Sequence, residues 1–358
     1  MNDVSSIPGF DSDAANAARR RQSELTKPPG SLGRLEDLAI WFAGARGQFP
    51  VPVPQRCELF VFAADHGVVD EGVSAYPAAV TRAMVDNFRR GGAAVSVLAR
   101  HANVAMTVVD AGIAPGAEPF AASVPSHFPV GFLSAPVRAG TANFVKSAAM
   151  STEEAQGALA LGASCAEAAS GRGAELLLGG DMGIGNTTSA AALLCAFGGD
   201  DPAEAVGLGT GIDEVTRARK IAVVRAALDL HRPNPSRPLD VLAALGGLEI
   251  AALAGLMIEG ARRRIPTVVD GFIAGAAALV AVHLAPGVRS YLLLSHVSAE
   301  RGARRLCSLL GGPAPLLDLG MRLGEGTGAV LAVPLLRSAV AAQNEMASFV
   351  EAAVPNRA

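Results

Sequence analysis

The stretch "LDLGMRLGEGTGAVLAVPLL" carries one carboxylate, Glu325, between Gly324 and Gly326, just ahead of an apolar run. Glycine on both sides bares the backbone and strips away side chains that could pair with the charge, so the lone carboxylate is a candidate for chemistry. It equally suits the role of a charge that meets the N-terminal dipole of a following helix. A second stretch, "GGDMGIGNTTSAAALL", sets Gly179, Gly180, Gly183 and Gly185 between an apolar strand pattern and a helix, with Asp181 among them. Backbone amides at such a corner bind phosphate, and Asn186 or Thr187 can cap the helix. The loop has neither the Gly-Lys-Ser/Thr of a P-loop nor the third glycine of the dinucleotide fingerprint. A third stretch, "VGLGTGIDEVTRARK", offers Gly207, Gly209 and Gly211, then Lys220, which could be a point charge for phosphate or a solvated lysine.

Two further clusters are weaker. "AADHGVVDEGVSAYP" holds Asp65, His66, Asp70 and Glu71. The spacing matches no zinc template, so no metal is expected. "LLSHVSAERG" holds Ser295, His296 and Ser298. A Ser/His nucleophile would need a third orienting group that the sequence does not place. Ser298 is expected to cap a helix with Glu300 in its first turn.

The elements that position these residues follow a recurring unit: a short apolar strand, a small or acidic residue, then a helix. "CELFVFAADHG" ends its strand at Asp65 and His66, "VAMTVVDAGI" near Asp110, "AELLLGGDMGIG" at Asp181, "IPTVVDGF" at Asp270 and "RSYLLLSHVS" at Ser295 and His296. "LDVLAALGGLEIAALAG" is expected to repeat the unit at Gly246 and Gly247. Apolar strands alternating with helices imply a parallel sheet covered on both faces, with ligands beyond its carboxyl edge. Residues 118–138 are proline-rich and aperiodic and are expected to form a long loop. The first segment predicts two helices about a Pro-Pro-Gly break, the second capped by Ser31. The tail from Thr327 predicts a helix broken or kinked at Pro334.

The chain's 358 residues, half of them apolar, suit a large domain with a smaller appendage. Only 4% are aromatic and 40 are glycine, so small side chains must carry close packing. A net charge of −3 gives no electrostatic case for nucleic acid or an anionic membrane. The N-terminus has no apolar signal core, and 271–288, the longest apolar stretch, predicts a buried helix rather than a membrane span. Cys57, Cys165, Cys195 and Cys307 stand singly, which points to a reduced, cytoplasmic compartment.

Taken together, "TKPPGSLGRLEDLA", "ADHGVVDEGVSAYP", "GGDMGIGNTTSAAAL", "VVDGFIAGAAAL", "SHVSAERGA" and "MRLGEGTGAVLAVPLL" resemble the nicotinate-nucleotide–dimethylbenzimidazole phosphoribosyltransferase family, in that family's order, over about residues 27–336. The resemblance implies a three-layer α/β/α domain with a mainly parallel sheet, 56–325. It also implies a small helical domain built from 1–55 with 326–358. It implies a homodimeric enzyme, without a cofactor, that moves phosphoribose from nicotinate mononucleotide to 5,6-dimethylbenzimidazole. The family's base falls on Glu325. Its phosphate loop falls on Gly183, Ile184, Gly185, Asn186 and Thr187, its phosphate lysine on Lys220 and a phosphate-side serine on Ser298. Gly209, Asp270, Met182 and Leu323 join the expected substrate-binding set, and the Tyr76–Met84 segment is expected to contact the benzimidazole. Asp181 stands where many members carry glutamate. Either it assists catalysis, raising the proton affinity of Glu325 as a neighbouring carboxylate, or it only holds the loop. Two rivals remain open: a nucleoside phosphorylase or hydrolase using the same pocket, and a sensor that holds phosphoribosyl nucleotides without chemistry.

Overall fold

Strand β1, Cys57–Ala64, is apolar at all but one position, and the two-residue period of a strand sends its side chains to opposite faces. Phe60, Phe62 and Ala64 enter one core; Leu59, Val61 and Ala63 enter another. A strand buried on both faces belongs inside a parallel sheet. The computed structural model describes residues 7–116, 120–121, 129–209 and 211–355, and it places β1 there. Around it lie β2 (Ala105–Gly112), β3 (Val130–Ser134), β4 (Leu176–Met182), β5 (Thr267–Val269) and β6 (Leu292–Leu294). All six strands run parallel, in the order β3-β2-β1-β4-β5-β6.

Helices cover both faces, as expected for a three-layer α/β/α protein. One face carries α5 (Thr152–Gly171), α6 (Asn186–Gly198), α9 (Pro238–Leu245), α10 (Leu248–Arg262), α11 (Phe272–Leu284) and α12 (Ala303–Leu310). Next to α6 on this side lie the short α7 (Pro202–Ala205) and α8 (Glu214–His231). The other face carries α2 (Arg34–Arg46), α3 (Ala79–Arg89), α4 (Ala94–His101) and α13 (Thr327–Glu345); α1 (Ser12–Glu24) packs on α2. Small residues carry the tightest contact. A side-chain carbon added to Gly162 of α5 would overlap the Ala252 carbonyl of α10, and one on Gly255 would overlap that of Leu159. The two backbones therefore touch, which accounts for part of the glycine excess.

Register aligns the carboxyl ends. Phe62 sits opposite Asp181 and Ala63 opposite Asp110. The chain order reverses between β1 and β4, so the loops after these strands leave in opposite directions and open a crevice.

Several local expectations are corrected. Residues 238–245 form α9, not a strand; the apolar run is a buried helix turn ahead of Gly246. Within 118–138, residues 130–134 form the edge strand β3, whose half-exposed, proline-flanked sequence hides the strand period; 118–119 and 122–128 lie outside the described residues. Ser31 does not cap α2, whose cap is Gly33. The Glu36 carboxylate instead accepts the Leu32 amide at 3.1 Å and pairs with Lys27 at 2.7 Å. Helix α12 starts at Ala303, so Ser298 caps a turn at Glu300 rather than a helix. Helix α13 runs through Pro334 to Glu345 without a break. No described helix is long and apolar enough to cross a membrane. The four cysteines are free thiols, three of them buried.

Candidate active site

Glu325 stands on the loop that leads into α13. Its own φ is +66°, and those of Gly324 and Gly326 are +81° and +94°. Three consecutive left-handed residues are costly, and a glutamate in that conformation is rare, so the surroundings must hold it. Gly326 lies against Leu59 and Gly180, and a side chain on Gly180 of β4 would overlap the Glu325 carbonyl. The loop is thus laid directly on the bare glycine edge of β4. The carboxylate, 5% exposed, points at the N-terminus of α4, where Oε2 accepts the Val95 amide at 3.5 Å. Burial pushes its pKa up to about 7. The Val95 amide opposes that rise and the Asp270 charge adds to it.

Asp181, at the end of β4, lies beside this loop. A carbon on Gly324 would sit 3.3 Å from Asp181 Oδ2. Burial, then Asp270, Glu249 and Glu325, hold the Asp181 carboxyl well above the ordinary range, against a bond from Asn186. That bond, Asn186 Nδ2 to Asp181 Oδ2 at 3.0 Å, corrects the expected cap: α6 is capped by Gly185, and Asn186 reaches back to the strand. The charge felt by Glu325 comes chiefly from Asp270, where Asp181 had been expected.

Asp270, after β5, is fully engaged with the backbone around Glu325. Its Oδ2 accepts the Gly326 amide at 3.1 Å; its Oδ1 accepts those of Gly328 and Ala329 at 2.7 and 3.0 Å. An acid with both oxygens spent on protein amides is poorly placed to bind substrate directly, contrary to its expected role.

In the helices that follow β4, Lys220 of α8 is buried and donates to Thr187 Oγ1 of α6 at 2.6 Å. Burial depresses its pKa to about 8, with Glu300 opposing. Gly209, φ +55°, lies over this pair, and its carbonyl accepts Arg322 Nη1 at 2.5 Å. Lysine, threonine hydroxyl and a glycine loop at one corner are groups with which proteins hold anions. The amides of Ile184, Asn186 and Thr188 are already bonded, to Thr81 Oγ1, the Gly183 carbonyl and the Gly185 carbonyl, which narrows the phosphate role of the Gly183–Thr187 loop. Ser298 is buried nearby, against Gly271. Beneath the loop, His66 Nε2 and Glu249 Oε1 pair at 2.7 Å with both side chains fully buried. Met84 and Met182 are half-buried on the core of the α3 and α13 face, while Tyr76 and Leu323 stand about half exposed.

Thr81, Val95 and Arg322 are not singled out by the sequence, and Glu300 only as a residue of a helix's first turn. Arg322, three residues before Glu325, carries a visible signal; Thr81 contributes its hydroxyl, Val95 its backbone amide and Glu300 its charge near Lys220. A cavity of about 340 Å³ between Trp41, Leu293 and Leu310 lies at the β6 edge and contains none of these residues.

With the geometry in view, comparisons with known proteins converge. A family model described as phosphoribosyltransferase (DBI_PRT) matches residues 7–354. The chain is 51% identical over 354 residues to nicotinate-nucleotide–dimethylbenzimidazole phosphoribosyltransferase of Chloroflexus aggregans, covering 99% of this chain and 97% of that one. It is 49% identical to the protein of the same name from Chromobacterium violaceum, covering 99% of each. A crystal structure of the Thermus thermophilus enzyme of that name superposes with a TM-score of 0.89 at 46% identity, covering 97% of this chain and 100% of that one.

Proposed function

The chain belongs to the nicotinate-nucleotide–dimethylbenzimidazole phosphoribosyltransferase family, and we propose that it transfers phosphoribose from nicotinate mononucleotide to 5,6-dimethylbenzimidazole with Glu325 as the base. The products are α-ribazole 5′-phosphate, used in assembling the lower ligand of cobalamin, and nicotinate. The observation that carries this reading is the buried carboxylate of Glu325, raised to about 7, on a segment that Arg322 ties through the Gly209 carbonyl to the corner where Lys220 meets Thr187.

The chemistry needs one carboxylate. Nicotinate leaves from C1′ through a pyridinium nitrogen, so breaking the bond yields a neutral ring nitrogen and no general acid is required. A glycosidase, by contrast, needs two carboxyl groups. The attacking benzimidazole nitrogen would become cationic unless the other ring nitrogen gives up its proton. Glu325 takes that proton, a step worth about 10²–10⁴-fold. A base with pKa about 7 is half ionised at neutral pH and still basic enough to accept. Lys220, Thr187 and the Gly209 loop hold the phosphate, and Ser298 supports that side; Gly183 and Gly185 allow the backbone to come close. Met84, Met182, Tyr76 and Leu323 provide apolar surface for the benzimidazole. Attack from the face opposite the leaving ring inverts C1′ from β to α. Positioning the two rings supplies much of the remaining rate.

Asp181 is a neighbouring carboxyl whose neutral form burial favours, and it shapes the pocket. The protein acts as a cytoplasmic homodimer in this reading, which the family resemblance and the free thiols support. Incubation with nicotinate mononucleotide, with and without dimethylbenzimidazole, tests the assignment. Nicotinate released only with the base supports transfer. Release in water alone would make the protein a hydrolase, and no release under either condition would make it a sensor.

A further inference from the structure

We propose that Asp270 is the positioning residue of the reaction: its carboxylate clamps the left-handed Gly324–Gly326 turn to the first turn of α13 and so holds Glu325 in its working position. The inference rests on the base role of Glu325. Three backbone amides converge on one side chain, those of Gly326, Gly328 and Ala329, at 3.1, 2.7 and 3.0 Å. Gly326 is the residue after the base, and the other two belong to the first turn of α13. Helix N-terminal amides have no partner within the helix, and here a residue 56 positions away in sequence supplies one. Locally, Thr327 Oγ1 closes the turn on the Gly324 carbonyl at 2.8 Å, and Asp270 ties it to the rest of the sheet edge.

Asp270 is itself held. Ser295 Oγ donates to the Asp270 carbonyl at 3.1 Å and lies 3.0 Å from His296 Nδ1. That ring nitrogen is 3.9 Å from Asp270 Oδ1. The His296 ring also packs on Gly328, where any side chain would collide with it. Serine and histidine after β6 therefore brace the aspartate after β5, and the aspartate braces the loop that carries the base. This gives "SHVS" a use that does not require a nucleophile.

The arrangement has an electrostatic consequence. The titratable groups facing the Asp270–Glu325 pair are Asp181 from β4, Glu249 from α10 through Asp181, and His296 after β6; the α4 N-terminus faces Glu325 through Val95. Burial is the largest cause of the raised Glu325 value and the negative charge of Asp270 adds to it, so Asp270 contributes to the proton affinity of the base as well as to its position.

The test is kcat/KM against pH for wild type, Asp270→Asn and Glu325→Gln. Asp270→Asn removes the charge and leaves one acceptor oxygen for three amides. The acidic limb should move to lower pH, and the plateau should fall by about 10²-fold, the scale of a misplacement near 1 Å, with KM for nicotinate mononucleotide close to wild type. A limb that stays at the wild-type pH, with Glu325→Gln inactive, overturns this inference alone. An active Glu325→Gln overturns the base assignment beneath it. If Asp270→Asn does not fold, amide hydrogen exchange of the wild-type protein decides. Protection of Gly326, Gly328 and Ala329 comparable to the middle of α13 supports the clamp, and exchange as fast as an uncapped helix start overturns it.

Discussion

At the scale of the residue, Glu325 carries a cost that its function explains. Burial lifts it from an ordinary value near 4.5 to about 7. The folded state therefore binds the proton more tightly than the unfolded chain. Its contribution favours folding fully below about 4.5 and is lost as pH rises to about 7. Glu325→Gln should match wild-type stability at pH 4 and exceed it at pH 8 by an amount approaching about 3 kcal/mol, the equivalent of that shift. Urea unfolding at the two pH values checks this, and equal stability at both would show that the carboxylate is not strained by burial. Lys220 works in the opposite sense. Its pKa, depressed to about 8, means that the charge needed for phosphate disappears above that pH. The profile of kcat/KM for nicotinate mononucleotide should be bell-shaped, with an acidic limb near 7 and a basic limb near 8. Lys220→Arg should abolish the basic limb, since a guanidinium does not titrate there. Asp181 should behave differently from both. Burial and three neighbouring carboxylates favour its neutral form, which asparagine imitates. Asp181→Asn should therefore leave the acidic limb in place and cut kcat less than Glu325→Gln does.

At the scale of the element, the site is made where β4 runs out. The Gly179–Gly180 pair, just ahead of the last two strand residues Asp181 and Met182, has no side chains, and the Glu325 loop lies on it. Gly180→Ala should push the Glu325 carbonyl and its loop away. We expect kcat to fall by about 10²-fold while KM for nicotinate mononucleotide changes little, because the Lys220 corner is built from α6 and α8. An unchanged kcat would show that the loop does not rest on the strand. Much of this was legible in the sequence. Strand ends at Asp65, Asp110, Asp181, Asp270 and His296 follow directly from apolar runs that stop at a polar residue, and all of them fall on one sheet edge. Contacts between distant backbones were not legible. The amides that Asp270 accepts lie 56 to 59 positions away, and nothing in "VVDGF" announces them. Thr81 likewise reaches Ile184 across 103 positions. Edge strand β3 is hard to read because it is short and its outward positions carry Gly131 and Leu133, so the polar half of the alternation that marks a half-buried strand is absent. Residues 238–245 misled in the other direction: eight apolar-rich residues before a Gly-Gly pair fit either element by composition.

At the scale of the whole molecule, two apolar layers on one parallel sheet hold the Glu325 loop and the Lys220–Thr187 corner, the proposed base and phosphate groups, at the carboxyl end of the sheet. Helices α1, α2 and α13 pack together, and α13 also covers the sheet through Ala329, Val330 and Val333. We keep 1–55 with 326–358 as a proposed small helical domain whose last helix is shared with the 56–325 domain. Among the described residues no group of three or more His, Cys, Asp or Glu side chains is placed to hold a metal ion. The leaving group departs from a cationic nitrogen and needs no Lewis acid, so activity should survive exhaustive chelation. A loss with EDTA that magnesium or zinc restores would refute that expectation. The central claim is that this arrangement delivers one carboxylate to the N–H of an attacking benzimidazole, and kcat of Glu325→Gln tests it most directly. The amide keeps the size of the side chain and cannot take the proton. The predicted result is a folded protein that binds both substrates with kcat lowered by at least about 10²-fold. A folded variant that turns over at close to the wild-type rate would contradict the account.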